Sequence, residues 1–257
     1  PPGLADHIAG LIDGIRWDRV GAAGPRFAVA EYDGERLSWS TLQAGRSGRE
    51  PERVQPTVDG LLWEEPLFQV RARLLDHGIP VLAFALEQPR QFHVRPERLR
   101  ARGLDPGPWL GELKRRLAAD DRSALIQLPD GRCEPAGALA ADLILIALGQ
   151  KLVYATDLAD TAANRARLIA LARGANVLCC EAAFLAADAD QAARTGHLTA
   201  RACGEIAVAA DVAMLVPFHF SRRYQSEPER VYAEIQAVCP RMVEPREVFA
   251  GSCLQAR

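Results

Sequence analysis

The sequence predicts an α/β fold, a sheet covered by helices, and three observations carry that reading. Strand-like and helix-like segments alternate along the chain. The last third runs strand, helix, strand, helix, strand, helix. The first half holds more strands, and 257 residues give ample chain for a sizeable core.

In chain order, helical periodicity opens the sequence in LADHIAGLIDGI (4–15). Strand-like runs follow in RFAVAEY (26–32), LFQVRARLL (67–75) and IPVLAFAL (79–86), then in ALIQL (124–128), LILIAL (143–148) and KLVYATD (151–157). The regular alternation begins with a helix in NRARLIALARG (164–174), where Gly174 suits the end of the helix. A strand in ANVLCCEA (175–182), a helix in TARACGEIAVAAD (199–211) and a strand in VAMLVPF (212–218) come next. The last helix is PERVYAEIQAVC (228–239), for which Ser226 with Glu229 three residues later forms the pattern of a capping box. There is no internal repeat and no low-complexity tract.

Composition narrows the function classes. The chain is 49% hydrophobic and 25% charged with a net charge of −2, ordinary for a globular protein. No apolar run approaches the roughly 18 residues that span a bilayer, and no signal-peptide pattern is present, so a cytoplasmic protein without a membrane partner is expected. The six cysteines lack CxxC spacing, which argues against a zinc knuckle or a disulfide framework. Only Lys114 and Lys151 are lysines, so arginine supplies nearly all positive charge.

Charge is uneven. Between Arg90 and Arg116 eight basic residues face three acidic ones, a surplus of five in a chain that is acidic overall. The segment is either a solvated excursion or a basic arm that tracks a nucleic-acid backbone. The turn-forming DPGP (105–108), between two short helical stretches, gives such an arm its bend.

Chemistry-bearing residues recur where strands end. His77 lies at a break between two strand-like runs, Asp157 follows KLVYAT, Glu181 follows NVLCC, and His219 follows VAMLVPF. Polar side chains at the carboxyl ends of successive strands converge on one edge of an α/β sheet, where sites form. Each taken singly is better explained as a structural residue; the repetition at equivalent places is the signal. Directly after His219 come Ser221, Arg222, Arg223 and Tyr224. Arg223 suits either a phosphate or an ion pair that packs the next helix.

These motifs, in this order, resemble ribonuclease Z, the tRNA 3′-processing endonuclease of the metallo-β-lactamase superfamily. HFSRRY (219–224) is similar to its HFSxRY, LLDHGIPVLAFALEQ (74–88) to the segment bearing a mid-chain metal histidine, and YATDLAD (154–160) to its SGDT segment. CEAAF (180–184) resembles HEATF, GHLTA (196–200) resembles GHSTA, and GLDPGPWLGELK (103–114) resembles the tRNA-binding arm. The resemblance implies a metallo-β-lactamase-like αββα sandwich with a protruding basic arm, in one domain over 1–257 with the arm inserted at 88–117. It implies His77, Asp157 and His219 as metal ligands around one small volume, with Glu181 and His197 as a catalytic pair behind them. In that pair the carboxylate is expected to raise the imidazole pKa. Capping of the following helix is the alternative role for His197. Ser221 and Arg223 would meet the phosphate, and Arg95, Arg98, Arg100, Arg102, Gly107, Pro108, Lys114, Arg115 and Arg116 the RNA. Two zinc ions, with manganese or iron as substitutes, a tRNA precursor and a homodimer complete what the resemblance implies.

The sequence departs from the family pattern in one large respect. HxHxDH is absent, and no two of the five histidines stand at that spacing. PPGLADHIAGLIDGI (1–15) resembles the segment that follows that motif, so the chain is expected to begin inside the fold, without its first strands. Smaller departures are Cys180, Ala183 and Leu198 at positions where the family carries His, Thr and Ser. Three functions are therefore open: a zinc-dependent phosphodiesterase that removes tRNA 3′ trailers, a hydrolase of a small phosphodiester or ester, and a catalytically inactive nucleic-acid-binding relative.

Overall fold

Alternating side chains and short turns build two sheets from the amino-terminal half, as seen in a computed structural model that describes residues 1–17, 23–45 and 49–252. The chain divides into two compact units, one made of residues 1–87 and 151–257, the other of residues 88–150.

In the larger unit, helix α1 (Leu4–Asp13) is followed by β1 (Arg26–Tyr32), β2 (Arg36–Gln43) and β3 (Arg49–Pro56), an antiparallel three-stranded sheet. The β1–β2 turn forms because an Asp33 oxygen accepts from the amides of Glu35 and Arg36 while Gly34 takes a φ of 105°. Then come β4 (Leu61–Glu65), β5 (Phe68–Asp76) and β6 (Pro80–Glu87), and, from the carboxyl-terminal part, β11 (Lys151–Ala155), β12 (Val177–Glu181) and β13 (Leu215–Phe218). These six make one mixed sheet in the order β13-β12-β11-β6-β5-β4. Strands β11, β12 and β13 are parallel; the rest pair antiparallel.

Pleating decides what each face meets. Leu75, Ala83, Ala85, Val153, Ala155, Leu178, Cys180 and Leu215 point toward helices α5 (Ala162–Ala172), α7 (Ala200–Ala209) and α8 (Pro228–Gln236), and pack with Leu168, Ile206, Val231 and Ile235. On the other face, Ala72 and Leu82 pack with Tyr32, Leu37 and Trp39 of the three-stranded sheet. Its far side holds Val29 and Leu42 against Ala5 and Ile12 of α1. The layers therefore run helix, sheet, sheet, helix, which is the expected αββα order. Phe84, Leu86, Leu152 and Tyr154, on the face turned away from α5 and α7, are each 39–45% exposed and form two apolar rows across β6 and β11.

Local chemistry sets the helix ends. Thr161 and Thr199 accept the amides of Asn164 and Ala202 and so cap α5 and α7, and Gly174 takes a φ of 63° just past α5 as expected. The capping box expected from Ser226 and Glu229 does not form. Helix α8 begins at Pro228, whose missing amide needs no acceptor, and Glu227 occupies the cap position without a side-chain hydrogen bond. Helices α6 (Ala189–Thr195) and α9 (Pro245–Ser252) complete this unit.

The smaller unit has its own core. Strand β7 (Gln91–Val94) pairs antiparallel with β10 (Ile144–Ala147), and β8 (Leu125–Gln127) with β9 (Cys133–Pro135). Helices α2 (Pro96–Ala101), α3 (Pro108–Ala118) and α4 (Ala136–Leu143) bury Leu99, Trp109, Leu113, Leu117, Leu139 and Leu143 together. Residues 88–117, the expected arm, supply β7, α2 and α3 of this unit. The strand expected over 143–148 starts at Ile144, because Leu143 is the last residue of α4.

Candidate metal centre

The sheet brings five chemistry-bearing side chains to one edge. His77 follows β5, Asp157 follows β11, Glu181 ends β12, and His219 follows β13. His197 stands in the short connection from α6 to α7. Rings of His77 and His197 are 4.6 Å apart, and those of His197 and His219 5.3 Å. Nε2 of His219 lies 3.2 Å from Oδ1 of Asp157.

Two groups of ligand atoms lie within 4.8 Å of one another: His77 with Asp157 and His197, and Glu181 with His197 and His219. His197 thus lies among the expected ligands, between His77 and His219, and not behind them. Glu181 does lie behind, fully buried, with one oxygen 2.8 Å from the amide of Leu158 and the other 2.7 Å from Nδ1 of His197.

Tautomers follow from the neighbours. A carbonyl only accepts, so the 2.7 Å contact between His77 Nδ1 and the Gly196 carbonyl puts a proton on Nδ1 and leaves Nε2 with a free lone pair. When ionised, Glu181 accepts from His197 Nδ1 and orients that ring in the same way.

Electrostatics correct one expectation, that the Glu181 carboxylate raises the pKa of His197. Burial and the adjacent His77 charge instead hold His197 below the usual histidine value. Glu181 is itself pushed up to about 7, chiefly by burial, against the opposing pull of the Leu158 amide and of His219.

The backbone is unusual at two of these residues. Asp157 has a φ of 55° and His219 a φ of 62°, both left-handed. A non-glycine residue there carries strain that its surroundings must hold in place.

Around the rim, Arg223 pairs with Asp188 at 2.7 Å and lies 5.5 Å over the ring of Phe184. Asp188 also contacts the hydroxyl of Tyr224, and that hydroxyl accepts from the amide of Leu185. Ser221 donates its amide to the Ala183 carbonyl at 3.0 Å. Helix α7 is capped by Thr199, not by His197. Asp188 escaped sequence reading, because an acid in an alanine-rich turn carries no spacing signal.

In the smaller unit, Arg102 contacts both oxygens of Glu134, at 2.7 and 2.9 Å, and lies 3.8 Å from Asp142. Arg115 and Arg116 both reach Glu112 along α3. Arg100 donates to the Pro96 carbonyl. Arg95 precedes α2 and Lys114 lies on α3; with Arg98 they form no ion pair among the described residues. Gly107 is extended and places Pro108 at the first turn of α3.

No family model matches the chain. It is 32% identical over 244 residues to a ribonuclease Z of Deinococcus radiodurans, an alignment that covers 93% of this chain and 71% of that protein. It is 37% identical over 241 residues to a ribonuclease Z of Thermobifida fusca, covering 91% and 70%. The chain belongs to the ribonuclease Z family. Membership makes it a metal-dependent hydrolase of the metallo-β-lactamase fold class. Solved structures that it matches include the metallo-β-lactamase fold protein YhfI from Bacillus subtilis, with 16% identity, a TM-score of 0.41, and coverage of 72% of this chain and 49% of that one. The short form of human tRNase Z matches with 20% identity, a TM-score of 0.37, and coverage of 64% and 41%.

The residues at the sheet edge fit a divalent metal of this family. Imidazole nitrogen and carboxylate oxygen are donors for zinc, manganese and iron, and the His77 lone pair is already turned away from its backbone partner. No helix among the described residues is long and apolar enough to cross a membrane.

Proposed function

We propose that this chain acts as a zinc-dependent endoribonuclease that removes 3′ trailers from tRNA precursors, as a cytoplasmic homodimer. The observation that carries the reading is the convergence of His77, Asp157 and His219 with the His197–Glu181 pair at one sheet edge. His77, Asp157 and His219 would hold the metal, with His197 beside them. Bound there, the metal supplies a Lewis acid for the phosphodiester and an activated water at neutral pH.

The protein's own part is proton handling and orientation. With Nδ1 donating to Glu181, the doubly protonated ring of His197 would give its Nε2 proton to the departing ribose oxygen and be left as the neutral imidazole. An imidazole held below its usual pKa gives up that proton readily. Glu181, with a carboxyl pKa of about 7, takes up part of the charge change. Arg223, 44% exposed beside Asp188, would meet a phosphate oxygen at the rim, together with Ser221 two residues before it. Arg95, Arg98 and Lys114 supply backbone contacts to RNA from the segment 88–117.

The test is cleavage of a trailer-bearing tRNA precursor with added zinc, manganese or iron by the wild type and by Asp157→Asn. Metal-dependent cleavage that the substitution abolishes supports the reading; equal cleavage by both proteins ends it. RNA binding without metal-dependent cleavage would instead select an inactive RNA-binding relative.

A further inference from the structure

His77 and Asp157 follow strands that are not neighbours. Strand β6 separates β5 from β11, so no ladder of hydrogen bonds fixes one residue relative to the other. Something else must hold the two loops in register. We propose that Asn164 is the positioning residue that clamps the His77 loop to the Asp157 loop. This inference rests on the metal-site reading above.

The geometry is complete within one side chain. Asn164 is 1% exposed and sits in the first turn of α5. Its Oδ1 accepts from the amide of Asp76 at 3.0 Å. Its Nδ2 donates to the carbonyl of Asp76 at 2.7 Å and to that of Ala159 at 2.8 Å. Asp76 immediately precedes His77, and Ala159 stands two residues after Asp157. The Ala159 amide also donates to the Asp76 carbonyl, at 2.9 Å, so the two loops and the asparagine form one closed network.

A side-chain amide here does what a neighbouring strand would do, since it offers one acceptor and two donors in a plane. Asp76 closes a tight turn as well: its Oδ1 accepts from Gly78, and His77 donates its own amide to Ile79. The loop carrying His77 is therefore rigid within itself, and Asn164 sets where that rigid piece sits. Removing the side chain leaves the Asp76 amide without its partner and cuts the Asp76 and Ala159 carbonyls to one donor each, which favours local opening. Removing partners that orient metal ligands from outside the coordination shell changes metal affinity by about 10–100-fold.

The experiment compares wild type with Asn164→Asp, which keeps size and the acceptor but removes both donors, and with Asn164→Ala. The control is Asn176→Ala: Asn176 Oδ1 accepts from the amide of Lys151 at the opposite end of β11. Amide exchange is measured without metal, and zinc affinity by calorimetry on folded protein. The expected result is exchange at Asp76 and Ala159 faster by about 10-fold or more in the Asn164 variants, with zinc affinity about 10-fold weaker. The control should change neither. Unchanged exchange in Asn164→Asp overturns the clamp. Faster exchange with unchanged zinc affinity overturns its positioning role. Zinc that fails to bind the wild type overturns the metal reading, and the inference with it.

Discussion

Replacing Glu181 by glutamine should alter how stability depends on pH, in a direction the structure fixes. Glu181 is fully buried and its carboxyl is pushed from 4.5 to about 7. Between those values the folded protein holds a proton that the unfolded chain has released. Its contribution is therefore fully present below pH 4.5 and is lost as pH rises toward 7. At 1.36 kcal/mol per pKa unit, the loss amounts to about 3 kcal/mol. His197, held below its usual value, works the other way, because its contribution is lost as pH falls. Glutamine keeps the volume and an acceptor for the Leu158 amide 2.8 Å away, and its NH2 can donate to His197 Nδ1 when that ring takes its other tautomer. Urea unfolding followed by circular dichroism at several pH values from 4.5 to 8, with chelator present, measures it. Relative to wild type, Glu181→Gln should gain about 3 kcal/mol across that range. A difference that stays flat with pH would refute the reasoning that burial governs this group.

Other perturbations follow from the same geometry. In a metal-loaded, active protein His197→Ala should lower kcat on a tRNA precursor by about 10²–10⁴-fold with little change in KM, measured by steady-state kinetics. Equal losses in both would remove His197 from proton transfer. Substituting Arg95, Arg98 and Lys114 by alanine should weaken RNA binding and reduce its salt slope by about 0.9 for each phosphate no longer neutralised, read from a salt titration. Arg102→Ala should instead lower the stability of the smaller unit, since it breaks the ion pairs to Glu134 and Asp142. Leu139→Ala, at a fully buried position of that unit, should cost about 2–5 kcal/mol in denaturant unfolding. Phe84→Ser with Leu152→Ser should reduce light scattering of concentrated solutions with little loss of stability, since both side chains are about 40% exposed on an open sheet face.

Strands that end in the site were readable because their apolar runs are dense and stop abruptly. KLVYATD and VAMLVPF each end at a polar residue or just before one, and Asp157 and His219 lie where that pattern put them. Strand β2, RLSWSTLQ, escaped because serine and threonine alternate with its apolar residues and read as loop. Its stability comes from pairing with β1 and β3, which local sequence does not encode. Helix α4 escaped for a related reason: AGALAADL has too few large side chains for a period, and its burial is a property of the helices around it. At the site, His197 was readable as a partner of Glu181 but not as a neighbour of His77, because loop paths decide that distance. Asn164 gave no signal beyond a position three residues after a capping threonine.

The left-handed backbone at Asp157 and His219 has a consequence for selection in the laboratory. Each L-residue held in that region costs about 1–2 kcal/mol, and glycine escapes most of it. A library screened only for folding yield should therefore enrich glycine or asparagine at 157 and 219, and each enriched clone would discard a candidate metal donor. Screening the same library for zinc-dependent function should restore aspartate and histidine. The two enrichment profiles should diverge most at these two codons, so a pair of sequencing counts would reveal where this fold trades robustness for chemistry.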